Sequence, residues 1–218
     1  MTPFTFRKTS FLLILLGAAL ALALGACREG SKAPAAPVAK NVVFLLLDTV
    51  RADHLSAYGY SRATSPNLAK FGAEHLRFAE ARSQASCTFP SVNSILTSRW
   101  PSRFLGQPER RIGIPNEFDT LGEILGQRGF ETSAISASTI VRKSPSHHNP
   151  FGGFERGFER FDEDCLLKRA RCVSRKAGEE LSRLREPFFL YLHYLDPHSG
   201  YDPPKPFRWK FIPPFAEP

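Results

Sequence analysis

The sequence predicts a doubly wound α/β domain built on a mainly parallel sheet with flanking helices. Three observations lead there. Asn41–Leu47 and Phe188–Leu192 are continuous apolar runs without polar alternation, the pattern of strands buried on both faces. Each run stops on polar residues: Asp48 after the first, and His193, Asp196 and His198 after the second. Between them lie segments with apolar residues at helical spacing, as a layered α/β architecture requires. The first strand is expected at the centre of the sheet, parallel to the one at Phe188.

The chain has 218 residues, 42% hydrophobic and 23% charged, enough for one globular domain with a sizeable core. Its formal charge of +8 suits anionic substrates or an anionic membrane surface. The basic residues are scattered, with no zinc-finger spacing and no basic helix, so nucleic acid is not the expected partner. No internal repeat is visible.

Residues 1–26 read as a targeting segment. Arg7 and Lys8 give it a positive start, and Phe11 to Leu24 is apolar but short for a membrane span. It ends Leu24-Gly25-Ala26-Cys27, which resembles the bacterial lipobox, whose cysteine is lipidated and becomes the first mature residue. An ordinary signal peptide cut near Ala26, or an uncleaved anchor, is the alternative. Acyl chains on Cys27 would hold the protein at a membrane, each buried CH2 adding about 0.8 kcal/mol. Residues 27–40 then form a flexible tether rich in Ala, Pro, Gly and Lys. The expected location is the bacterial cell envelope, with the domain on the outer-membrane or periplasmic side.

Three cysteines remain in that oxidising setting, Cys87, Cys165 and Cys172, an odd number that cannot all pair. Within one continuous helix, Cys165 and Cys172 would lie about 10 Å apart, beyond disulfide reach. They bridge only if a helix begins after Cys165.

The domain proper, residues 41–218, opens with the Asn41–Leu47 strand. Asp48 at its carboxyl end is a hard oxygen donor where α/β sheets bind ligands, hence a candidate metal ligand; a helix cap or a turn is the plain alternative. Asp53 and His54 read as structural. Ser65-Pro66 opens a helix to about Ala73 with Leu68 and Phe71 on one face. Leu76 to Ala79 reads as a short strand. Thr88-Phe89-Pro90 opens a helix running to about Thr97, with Pro90 in the first turn, where its missing N–H costs nothing. A hydroxyl at that helix start meets free backbone N–H groups and the positive end of the dipole.

Arg99 to Pro115 reads as a basic loop. Phe118 to Arg128 is a helix with Leu121, Ile124 and Leu125 on one face and Gly129 as its stop. Phe130 to Ile135 is a strand. Ser144 to Gly157 is a loop, in which His147 and His148 are neighbours that rarely face one way. Lys168 to Arg185 is a charged helix with Ala170, Val173, Ala177 and Leu181 inward. Phe188 to Leu192 then delivers the histidines and Asp196 to the ligand mouth.

Two motifs stand in order. Asn41-Val-Val-Phe-Leu-Leu-Leu-Asp-Thr-Val-Arg-Ala-Asp-His-Leu-Ser-Ala-Tyr-Gly-Tyr60 is followed by Thr88-Phe-Pro-Ser-x-x-Ser-Ile-Leu-Thr97. Together they resemble the N-terminal half of the sulfatase family, in the alkaline phosphatase superfamily. The resemblance implies an alkaline-phosphatase-like sheet, apparently truncated at about half its length. It also implies a hydrolase of anionic sulfate or phosphate esters with one divalent metal ion (Ca, Mn or Mg) at the strand ends. Asp48 and Thr88 would bind the metal, and Thr88 would be the nucleophile. His198 matches the family's Pro-His loop and would protonate the leaving group. His193 and Asp196 would contact substrate.

The departures matter. Sulfatases carry Cys-x-Pro-Ser-Arg, with the cysteine oxidised to formylglycine. Here Thr88 is the residue two before Pro90, Cys87 stands one place early, and Val92 takes the arginine's place. The sequence thus looks more like the threonine-nucleophile branch, which includes phosphoglycerol and phosphoethanolamine transferases. Cys87 is expected to be unmodified and packed in the apolar layer behind the site. No glycine-flanked Asp-His pair follows the Asp196-Pro-His198 loop to complete the metal site. Three functions compete: a sulfatase-like hydrolase of exported or envelope polymers, a phosphodiesterase or phosphoglycerol-type transferase, and an inactive lipid-anchored protein.

Overall fold

The two apolar runs pair with each other. The computed structural model describes residues 40–103, 113–149, 152–166 and 170–211. In chain order it contains β1 (Asn41–Leu47), α1 (Pro66–Glu74), α2 (Thr88–Thr97), α3 (Leu121–Gly126), β2 (Glu131–Ser136), β3 (Arg160–Asp162), α4 (Ala170–Leu181), β4 (Phe188–Tyr194) and α5 (Lys205–Arg208). The expected signal segment, Cys27 and the expected tether up to residue 39 lie outside the described residues.

All strand pairs are parallel, in the order β1-β4-β2-β3. Asn41 stands opposite Phe188 and the register runs to Leu47 opposite Tyr194. Parallel pairing of the two runs is as expected; the central place of β1 is not. Among the described residues β1 is an edge strand and β4 an inner one. Val43 and Leu45 are each 51% exposed, whereas Phe189 to Tyr194 are buried throughout. Both runs are equally apolar, so hydrophobicity alone could not rank them.

Alternation along β4 builds two cores. Phe189 and Tyr191 face Val92 and Leu96 of α2, with Leu121 and Leu125 of α3 packed at the margin. Leu190 and Leu192 face Val173 and Ala177 of α4. Helices therefore cover both faces, the doubly wound arrangement. Each large side chain buried this way contributes about 1.5–3 kcal/mol.

Several local expectations need revision. Leu76 to Ala79 forms no strand, and Leu76 and Phe78 are 83% and 67% exposed. In α1, Pro66 does open the helix, yet none of its residues is buried. In α4 the inward position assigned to Leu181 belongs to Glu180, which is buried because Arg160 Nε meets its carboxylate at 2.5 Å. β3 follows a Gly-rich loop and is only three residues long, too short to register as a periodic run. Thr120 and Glu123 close a reciprocal capping box at the start of α3. Cys165 and Cys172 are disulfide-bonded with Cα atoms 5.7 Å apart, and α4 begins after Cys165.

Candidate functional site

Asp48 follows the last residue of β1. Its N–H donates to Tyr194 O at 3.0 Å, carrying the ladder one step past the strand. Thr49 then takes φ 58, left-handed for a β-branched residue, and turns the chain away from the sheet. Such a conformation costs on the order of 1–3 kcal/mol, and it leaves Asp48 at the sheet's carboxyl edge.

Thr88 is the first residue of α2. Cys87 before it is extended (φ −117, ψ 150) and accepts the helix's opening bond from Ser91 N at 3.1 Å. No side chain caps this helix start, so its N–H groups stay available to an anion. Thr88 Oγ1 donates to Asp48 Oδ2 at 3.2 Å and lies 3.5 Å from Oδ1. Strand end and helix start thus meet through this pair.

Behind it stands His193. Its ring is fully buried, with Nε2 3.1 Å from Asp48 Oδ2 and Nδ1 3.0 Å from the Tyr191 hydroxyl. Burial pushes the Asp48 carboxyl up, but the hydrogen bond and charge of His193 outweigh it. Thr88 and, at longer range, His198 add to that effect, and the net result lies below the ordinary carboxylate value. Burial and the nearby Asp48 charge raise the Tyr191 phenol far above its usual value, so it stays protonated.

The remaining expected site residues are His193, Asp196 and His198. His193, expected to contact substrate, has no exposed surface and both ring nitrogens engaged, so it supports Asp48 from behind. Asp196 is exposed and accepts from Ala170 N at 2.8 Å, which ties it to the start of α4. His198 is exposed, and Ser199 Oγ lies 3.1 Å from its Nδ1. Cys87 is a free thiol, yet it is exposed rather than packed in an apolar layer. Its extended backbone at the helix cap directs the side chain off the helix body, and its nearest polar partner is Ser86 Oγ at 3.9 Å.

Asp48 and Thr88 offer a carboxylate and a hydroxyl, the donors that Ca, Mg or Mn prefers. Both close hydrogen bonds converge on Oδ2, which leaves Oδ1 free of a bond shorter than 3.5 Å. The pair fits a hard divalent cation as part of its ligand set. Among the described residues no group of three or more His, Cys, Asp or Glu stands ready to hold a metal. The buried Tyr191–His193 pair went unread in the sequence. Its signal was two polar-tipped residues spaced by two, hence on one face of a strand that ends at the ligand mouth.

The sulfatase family model matches residues 40–212. The chain is 32% identical over 150 residues to arylsulfatase A of Bos taurus, covering 65% of this chain and 27% of that protein. It is 30% identical over 143 residues to N-acetylgalactosamine-6-sulfatase of Homo sapiens, covering 60% and 26%. The chain thus spans about a quarter of the length of these curated relatives. In fold it is similar to the C-terminal periplasmic domain of EcEptC from Escherichia coli in complex with Zn. That match has a TM-score of 0.58 and 17% identity, over 82% of this chain and 50% of the other. It is also similar to BT4656 in complex with its substrate D-glucosamine-2-N,6-O-disulfate, with a TM-score of 0.61 and 18% identity over 75% and 36%.

Proposed function

The chain belongs to the sulfatase family, and from that premise we propose that it carries the nucleophile of a metal-dependent hydrolase of sulfate esters. The observation that supports this most is Thr88 Oγ1 at an uncapped helix start, 3.2 Å from the Asp48 carboxylate at a strand end. In this reading Thr88 Oγ1 gives its proton to solvent water and attacks the ester sulfur. The bond from sulfur to the leaving alcohol oxygen breaks, and His198, exposed at the same edge, gives that oxygen its proton. A water molecule then cleaves the Thr88 sulfate ester, releasing sulfate and restoring the hydroxyl. The free N–H groups of α2 receive the negative charge of the sulfuryl oxygens. Asp48 and Thr88 would hold the divalent cation, which when bound supplies Lewis-acid stabilisation of the hydroxyl as an alkoxide and of the ester oxygens. Asp48 positions Thr88 and neutralises part of that cation's charge.

Substrates on exported or envelope polymers fit the net charge of +8. The Cys165–Cys172 disulfide supports an oxidising compartment such as the periplasm. Lipid anchoring through Cys27 would place the enzyme at a membrane surface. Among the described residues no helix is long and apolar enough to cross a membrane.

A second reading is transfer or hydrolysis of phosphodiesters. It is favoured by one observation, a threonine rather than a cysteine two residues before Pro90. The deciding experiment offers the whole protein aryl sulfates and phosphodiesters in turn, each with Ca, Mn or Mg. Sulfate ester cleavage is expected, lost by about 10²-fold or more in Thr88→Ala and abolished by a chelator. A preference for phosphodiesters selects the second reading. Turnover that survives Thr88→Ala rejects both.

A further inference from the structure

Three buried or half-buried polar groups follow Thr88 in line. Asp48 accepts from Thr88, His193 meets Asp48 at 3.1 Å, and the Tyr191 hydroxyl meets His193 at 3.0 Å. His193 and Tyr191 are both wholly without exposed surface, so neither reaches a substrate. A polar residue in a sheet core is costly unless its hydrogen bonds are made. Here every polar atom of the pair has a partner, and the pair ends on one oxygen of one carboxylate.

The direction of each bond follows from chemistry. A carboxylate only accepts, so Nε2 must carry the proton that faces Asp48. This holds whether or not the ring bears a second proton. The remaining nitrogen, Nδ1, faces a phenol that both donates and accepts, so Tyr191 orients the ring in either case. The backbone adds to the constraint, because β4 places His193 opposite Leu46 while Tyr194 O holds Asp48 N. The Asp48 carboxylate is fixed by two groups of β4, one on its amide and one on its side chain.

We propose that His193 is a positioning residue for the candidate metal-binding carboxylate: it anchors Asp48 by Oδ2, with Tyr191 orienting the ring, so that Oδ1 is left for the cation that Asp48 and Thr88 would hold. This rests on the metal-dependent reading above. Outer partners of this kind typically affect metal affinity by about 10- to 100-fold.

Two measurements test it on the full chain. The first needs no metal. In protein labelled with 15N-histidine, His193 is expected to give a slowly exchanging, low-field imidazole N–H resonance, since the other five histidines are exposed. The resonance should vanish in His193→Gln and move in Asp48→Asn. Its absence from the wild-type spectrum overturns the proposal. The second measurement is Mn2+ affinity, read from the paramagnetic resonance of the free ion. His193→Ala should weaken binding by about 10- to 100-fold, and His193→Gln, whose amide N–H sits near the Nε2 position, should recover most of it. Tyr191→Phe should weaken it by a few-fold, and it decides the matter if His193→Ala does not fold. Affinity in His193→Ala within about threefold of wild type overturns the proposal. A residue that only fills space would show no difference between Ala and Gln in affinity once both are folded. If wild-type protein binds no Mn2+, the metal-dependent reading falls, and the anchoring of Asp48 is still decided by the resonance.

Discussion

Asp48→Asn exchanges a buried carboxylate for an amide of the same shape, and its effect can be worked from the structure. The carboxylate is 9% exposed and accepts from His193 Nε2 and Thr88 Oγ1, both at Oδ2. The amide oxygen can take the same place, so both bonds survive, but as neutral ones. Charge-assisted bonds contribute about 1.5–3 kcal/mol against about 1 for neutral ones, so over two bonds the exchange loses about 1–4 kcal/mol, with a middle value of about 2.5. Lower desolvation of the amide returns about 1 kcal/mol. The net destabilisation is about 1–2 kcal/mol at pH 7, or about 2–8 °C in Tm for a chain of this size. The sign of the pH dependence follows from the lowered Asp48 carboxyl. Its stabilisation is fully present above the unfolded value of about 3.9 and is lost as pH falls through the folded value. Thermal unfolding followed by circular dichroism, without divalent ions, from pH 7 to pH 3, should show the two Tm values converging below about pH 4. An Asn variant equal to or more stable than wild type at pH 7, or a gap that does not narrow as the pH falls below about 4, would refute this account.

Three further outcomes are expected. Cys87→Ala should change stability by less than about 0.5 kcal/mol, because its side chain makes no cap bond and is exposed, and mass spectrometry should find the wild-type thiol unmodified. Gly157→Ala should cost at least about 2 kcal/mol in denaturant unfolding, since Gly157 holds φ 88 and a Cβ there would run into Glu123 N and Thr120 Oγ1 of the capping box. Replacing Cys165 and Cys172 together by Ser should cost about 2–3 kcal/mol, the loop-closure value for so short a ring, whereas reduction of wild type with the pair already free would show no such change.

What could be read from the chain depended on whether the signal was local. β1, β4 and α2 were legible because their apolar runs and Pro90 act within a few residues of themselves. The Asp48–Thr88 pair was legible through two motifs in order. The edge position of β1 among the described strands was not, since strand order depends on partners far along the chain. Glu180 displaced Leu181 from the interior through an ion pair to Arg160, which helical spacing cannot foresee. Asp196 was assigned to substrate from its place after β4, but a backbone N–H of α4 claimed it. His193 was expected to contact substrate yet is buried against Asp48, because period-two alternation fixes a face and not what lies across from it.

The β1–β4 pairing also governs when the site comes into being. Asn41 and Phe188, which begin the two strands, are 147 residues apart, and Asp48 and His193 are separated by 145. A ribosome adding about 5–20 residues per second needs about 7–30 s to bridge that gap. Through this interval the β1 segment exists without the neighbour that buries it, as an uncharged apolar run. Loop closure over such a distance comes late in folding. The Asp48 carboxylate therefore acquires its anchor only when β4 docks, and a nascent or partly folded chain carries Thr88 beside a carboxylate that His193 does not yet hold.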